Sequence, residues 1–212
     1  SSILVLRRLI EIPPPLRGGM ARCDVLIIGA GPGGGSAALH SARLGLSTMI
    51  VEADPEVGVP VHCGECISQM AIDNLDLELP EDVVALDCKG IRVIFPDGTA
   101  KLLTEKGYVL EKHRFEQWLC EEAINAGASL HLSHRVTSME RIYNSENKFS
   151  NWIIDGRGNE FPIECKAVID ASGVSGAATK LLDMGTEVEV IAGFQYEITD
   201  VENDGYLDFY LW

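Results

Sequence analysis

The sequence predicts an α/β chain: a Rossmann-type nucleotide-binding domain interrupted by an inserted antiparallel β domain and truncated at the C-terminus. Three observations carry this expectation. A β-branched run, Asp24-Val25-Leu26-Ile27-Ile28, ends at a glycine cluster and is followed by an alanine-rich helical stretch and a second apolar run. An acidic residue, Glu52, closes that second run. Beyond it the β-α alternation stops, and hairpin signals fill the chain until a helical pattern returns near residue 112.

Each element follows from its local pattern. Residues 24–28 are apolar on both faces, as a buried parallel strand requires. Residues 31–45 (GPGGGSAALHSARLG) place Ala38, Leu39 and Ala42 at helical spacing, with Gly45 as the stop. Residues 47–52 form the second strand and complete a βαβ unit of about 30 residues. A short helix is expected near Ser68–Leu75. A hairpin follows, in which IRVIF and TAKLL flank Pro96-Asp97-Gly98. Residues 112–126 return to helix, with Phe115, Trp118, Leu119, Ala123 and Ala126 on one face and Gly127 at the end. A strand at 129–134 leads into a meander over 136–165 that turns at Asp155-Gly156-Arg157-Gly158. AVIDA (167–171) is a further buried strand before Ser172-Gly173. The last segment, 187–212, alternates like antiparallel strands and stops at Phe209-Tyr210-Leu211-Trp212. An unpaired aromatic edge invites aggregation, so the sequence reads as a fragment of a longer protein. Residues 1–19, with three consecutive prolines, read as a leader of uncertain structure that lacks the features of a signal peptide.

Composition narrows the function. Acidic residues number 32 against 17 basic ones, a net charge of −15, which argues against nucleic acid and against simple electrostatic attachment to anionic lipid. Hydrophobic residues make up 46%, enough for a packed core, and no apolar run approaches the roughly 20 residues that span a bilayer. Six cysteines lie in apolar segments, which points to buried thiols in a reducing compartment. The expected location is the cytoplasm, with contact at the periphery of a membrane as the lipid-facing variant.

The glycine cluster has a job at each position. Gly29-Ala30-Gly31-Pro32-Gly33-Gly34 follows a strand and opens a helix, and Glu52 stands 18 residues beyond Gly34. Gly29 makes the tight turn, Gly31 admits a pyrophosphate to the helix N-terminus, and Gly34 lets helix and strand pack closely. Glu52 is placed to accept hydrogen bonds from ribose hydroxyls. The pattern therefore predicts dinucleotide binding. A plain dehydrogenase continues with regular βαβ units; the interruption here favours a flavoprotein with its substrate domain threaded through the nucleotide domain.

At this point the chain resembles the geranylgeranyl reductases, a branch of the p-hydroxybenzoate-hydroxylase-like flavoproteins. DVLIIGAGPGGGSAA, VGVPVHCGE, GYVLEKHRFEQWLCEEAINAGA and VIDASGVSG carry the likeness, with GFQYEIT and LDFYLW as weaker matches. The resemblance implies an FAD that, once reduced, delivers hydride to prenyl double bonds of lipid precursors, with NAD(P)H or a ferredoxin as the electron source. It implies a FAD-binding domain over 20–66 and 108–180 and a partial substrate domain over 67–107 and 181–212. By resemblance Gly33 and Glu52 meet the pyrophosphate and the adenosine ribose, Cys63 and Gly64 lie beside the flavin, and Val136 contacts adenine through its backbone. Asp170 and Gly173 belong to the strand end near the cofactor. Three positions depart from the family. Lys112 replaces an arginine and loses its bidentate fork. Cys66 stands at a usual glycine and Ser172 at a usual aspartate. The glycine-aspartate motif and the aromatic tunnel motif that follow in the family are absent. Two other outcomes fit the same residues: a flavin monooxygenase or halogenase, and an inactive nucleotide-binding remnant.

Cys63 and Cys66 are the one close cysteine pair. A zinc site needs two more ligands, and the five histidines are dispersed, so no metal is expected. A redox dithiol would want a thioredoxin-like helix start, which is missing. The wall of a cofactor pocket fits better, with Pro60 stiffening the loop and Gly64 allowing close approach. Cys63 is then the candidate catalytic residue, a proton relay to the reduced alkene, and a small apolar wall residue is the equal alternative.

Overall fold

A computed structural model describes residues 20–212 except 76–77, 145–148, 158–161, 186–188, 190, 197 and 199. The expected leader, 1–19, lies outside the described residues. The chain divides into two compact units, one of Ser1–Val59 with Glu116–Val190, the other of Pro60–Phe115 with Ile191–Trp212.

The first unit is built on strand β1 (Ala21–Ile28), helix α1 (Pro32–Arg43) and strand β2 (Thr48–Val51). β1 pairs in parallel with β2 on one side and with β11 (Ile163–Asp170) on the other, and β2 pairs in parallel with β8 (Ser129–His131). Strands β9 (Arg135–Asn144) and β10 (Phe149–Arg157) extend the sheet antiparallel, giving the order β8-β2-β1-β11-β10-β9. Alternate residues of β1 feed two cores. Val25 and Ile27 pack with Ala38, Leu39, Ala42, Cys120 and Ala123, whereas Leu26 and Ile28 pack with Met49, Val51, Ile154, Ile163 and Cys165. Leu26, Ile27 and Ile50 are fully buried, which is why the strand has no polar face.

Helix α3 (Lys112–Asn125) begins in the second unit and runs into the first. Its Phe115, Leu119 and Ala123 are buried as the spacing predicts, Cys120 joins Ala123 in the core of Val25 and Ile27, and Trp118 and Ala126 are half-buried. Asp155-Gly156-Arg157 ends β10, with a register shift against β9 between Asp155 and Gly156, and β11 pairs antiparallel with β10 from Ile163. The chain thus reverses between Arg157 and Ile163, and Gly158, the last residue of the expected turn, lies outside the described residues.

The second unit holds two small sheets. β3 (Cys66–Ser68), followed by α2 (Gln69–Leu75), and β4 (Val84–Cys88) both pair antiparallel with β7 (Gly107–Leu110). β5 (Gly90–Ile94) and β6 (Ala100–Leu103) form the expected hairpin, closed by Asp97, whose carboxylate accepts from the Thr99 N–H at 2.9 Å. β12 (Tyr206–Tyr210) departs from the antiparallel expectation and pairs in parallel with β5. The described residues 191–196 form no strand, although their apolar alternation is strand-like. Arg92 fixes the β12 register: it faces Asp208 directly, donates to its carboxylate at 2.7 Å, and reaches Asp204 at 3.0 Å. Asp204 is thereby held at the entry to β12.

A candidate nucleotide-binding site

The first unit carries a cleft of about 970 Å³ at the C-terminal ends of β1, β2 and β11. That is the upper end of the ~300–1,000 Å³ usual for small-molecule sites, and the ends of parallel strands are where α/β sheets bind ligands. Its floor is the turn between β1 and α1. Gly29 adopts φ +100°, and a Cβ there would lie 2.6 Å from Ala171 O. A Cβ on Gly34 would overlap Gly29 O. Both glycines are demanded by the protein itself.

Gly31 and Gly33 are different. Neither has a positive φ; a Cβ on Gly31 would meet only Glu116 Oε1 at 3.9 Å, and one on Gly33 would meet nothing within 4 Å. No atom among the described residues accounts for a glycine at either place, and both line the cleft. The space in front of them fits a ligand drawn close to the backbone. α1 adds no acidic residue in its first turn and no side-chain cap, so the amides at its start are left for an anion. The residues present therefore fit a dinucleotide with its pyrophosphate on this turn.

Glu52 lines the same cleft, and its carboxylate accepts from the Ala30 N–H at 2.7 Å and the Asp54 N–H at 3.0 Å. These bonds fix the acid beside the turn, with acceptor capacity remaining for hydroxyls. Val136 lines the opposite stretch together with His134 and Arg135. The His134 N–H donates to Glu52 O at 2.6 Å, which joins that stretch to the end of β2. Asp170 and Gly173 complete the lining with Ser172, Ser175 and Lys180.

The Asp170 carboxylate is largely engaged within the protein. It accepts from the Ser172 N–H at 3.1 Å, the Ser172 hydroxyl, the Ala178 N–H at 2.8 Å and the Thr179 N–H at 3.2 Å. Desolvation opposes its charge, but the hydrogen bonds from Ser172, Thr179 and Ala178 prevail and hold it below the usual carboxylate range. Asp170 anchors the short helix α4 (Ala177–Leu181).

The structure brings together Gly29, Gly31, Gly33, Glu52, Val136, Asp170 and Gly173, with Gly34 packed behind the turn. Cys63, Gly64, Cys66 and Lys112 belong to the second unit. There Cys63 and Gly64 line a separate cavity of about 510 Å³ with His62, Glu65 and residues 193–195. The Cys63 N–H donates to Gln195 Oε1 at 3.1 Å. Glu65 stands at φ +61° and its carboxylate accepts from the Lys112 N–H at 3.3 Å, so the loop is tied to the start of α3. Cys63 and Cys66 are exposed, contrary to the expectation of six buried thiols, because a loop and a short edge strand carry them; Cys23, Cys88, Cys120 and Cys165 are buried. The Cys66 thiol turns to Gly64 O at 2.9 Å. Among the described residues no cluster of three metal-ligating side chains is found.

Sequence reasoning missed His134, Arg135, Ser172, Ser175 and Lys180 as cleft residues. Ser172 was visible as a departure from a motif; the others carry no local signal and are placed by the crossover from β8 and by Asp170.

The sequence profile of the lycopene cyclase protein family matches residues 24–200. The chain belongs to the lycopene cyclase protein family. Within this lycopene cyclase family setting, the chain is 29% identical to the digeranylgeranylglycerophospholipid reductase of Thermoplasma acidophilum over 208 residues, covering 91% of this chain and 51% of that protein. A crystal structure of a geranylgeranyl bacteriochlorophyll reductase-like protein from the same organism superposes with a TM-score of 0.75 at 30% identity, covering 91% of this chain and 51% of the other. The OxyS anhydrotetracycline hydroxylase of Streptomyces rimosus shares the fold, with a TM-score of 0.62 at 24% identity over 76% of this chain and 34% of its own. The resemblance to geranylgeranyl reductases is therefore met. The chain spans about half the length of the curated relatives it matches.

Proposed function

We propose that the chain is the FAD-binding portion of a reductase that saturates prenyl double bonds on lipid precursors. The observation that carries the cofactor assignment is the pair Gly31 and Gly33, glycines that no neighbour among the described residues requires and that a ligand on the turn explains. The similarity to a protein named digeranylgeranylglycerophospholipid reductase supports the substrate class. Reduced FAD supplies the hydride in such chemistry. The first unit holds the cofactor by backbone amides at the start of α1 and by Glu52, and the second unit serves the substrate. Cys63 is exposed on a loop fixed by Gln195 and Glu65, and its thiol is the proton donor to the alkene in this proposal. NAD(P)H or a ferredoxin provides the electrons. Among the described residues no helix is long and apolar enough to cross a membrane, so the proposed contact with lipid is peripheral.

The test has two stages. This chain is titrated with FAD, and one equivalent bound is expected. The full-length protein, reduced in the absence of oxygen, is then given a geranylgeranyl lipid, and each saturated double bond adds one dihydrogen to the product mass. Oxygen-dependent hydroxylation or halogenation of an aromatic substrate would instead establish the monooxygenase reading. In the same assay Cys63→Ala should retain FAD and lose reduction at least tenfold; unchanged turnover assigns Cys63 to the wall.

A further inference from the structure

We infer that Lys180 is the cation that faces the pyrophosphate of the bound dinucleotide, with Asp170 as the residue that positions it. The inference rests on the FAD reading and goes beyond it to a residue no motif marks. The glycine turn, Gly29 to Gly34, carries no charged side chain, and α1 adds none in its first turn that could offset an anion. Amides and the helix dipole are all the turn itself offers to a group bearing two negative charges. The acids that line the cleft, Glu52, Asp54 and Asp170, oppose that group, and the whole chain carries a net charge of −15. A cation on the lining is the natural counterweight.

Two fully charged candidates line the cleft, Arg135 and Lys180. Their supports separate them. Arg135 follows His134, whose N–H is bonded to Glu52 O, so it stands at the end of the site where the ribose acid lies. Lys180 hangs from the other wall. The segment after β11 presses on the first glycine of the turn, since a Cβ on Gly29 would meet Ala171 O at 2.6 Å and Ser172 Cα at 3.1 Å. From that segment Asp170 reaches forward to the Ala178 and Thr179 N–H groups and fixes the helix that bears Lys180. The Lys180 side chain is exposed, and among the described residues it makes no ion pair. The carboxylate is spent on the frame and the ammonium is left for the ligand.

The experiment titrates this chain, and its Lys180→Met and Lys180→Arg variants, with FAD, ADP and adenosine, followed by calorimetry. The expected result is a roughly tenfold loss of FAD and ADP affinity in K180M, none for adenosine, partial recovery in K180R, and a K180M affinity less sensitive to salt. Asp170→Asn should produce the same ADP-specific loss with a smaller size. Equal ADP binding by wild type and K180M, or an equal loss for adenosine, overturns the inference and leaves the FAD reading standing. A wild-type chain that binds neither FAD nor ADP overturns both.

Discussion

At the scale of single residues, the glycine turn separates what the fold requires from what a ligand requires. Gly29→Ala and Gly34→Ala force a Cβ into backbone atoms and should cost about 3 kcal/mol of stability. Gly33→Ala opens onto empty space within α1 and should leave stability unchanged or raise it by about 0.5 kcal/mol. Its FAD affinity should nevertheless fall by at least tenfold. Thermal melts beside FAD titrations check the pair; equal melting of all three variants would show that the turn relaxes around a side chain. The pattern GxGxxG marks these positions in the sequence itself, because a glycine's role follows from what must come near it. His134, Arg135 and Lys180 could not be announced, because their side chains reach the cleft through long-range backbone bonds such as His134 to Glu52 and Asp170 to Ala178.

Elements were legible where one local pattern had one meaning. DVLII, the alanine-rich α1 and the Pro96-Asp97-Gly98 hairpin fall where periodicity and turn chemistry put them. The last strand had competing meanings, and tertiary pairing chose: β12 found a parallel partner, with Arg92 opposite Asp208. The β12 clasp has a pH dependence with a definite sign. The hydrogen bond from Arg92 holds Asp204 below its ordinary value of 3.8, against a smaller desolvation. Its contribution is therefore complete above that ordinary value and is lost as pH falls through the lower folded one. Protection of the Tyr206–Tyr210 amides, taken relative to their intrinsic exchange rates, should fall in that acid range, and Arg92→Ala should lower it in the same way at neutral pH. Protection that survives both changes would assign β12 to backbone pairing alone.

For the whole molecule, burial divides the thiols in a way composition did not reveal. Cys63 and Cys66 are exposed; Cys23, Cys88, Cys120 and Cys165 are not, and burial pushes the Cys120 thiol up to about 12. An aromatic disulfide reagent at neutral pH should modify two of the six cysteines quickly and the rest only on unfolding. Six fast thiols would mean that both units open readily, since Cys88 belongs to the second and the other three buried cysteines to the first. The order of the segments sets a different constraint, on how such a chain comes into being. β1 emerges from the ribosome early, yet its flank is completed by β11, with Arg22 bonded to Glu164 across 142 positions. β5 waits similarly for β12, with Arg92 and Asp208 set 116 positions apart. Each unit encloses part of the other in sequence, so neither can be finished while the nascent chain is short. Two strand edges stay bare until partners 142 and 116 positions later are made, and a chaperone that shields them has the longer task on β1, the strand that bears the cofactor turn.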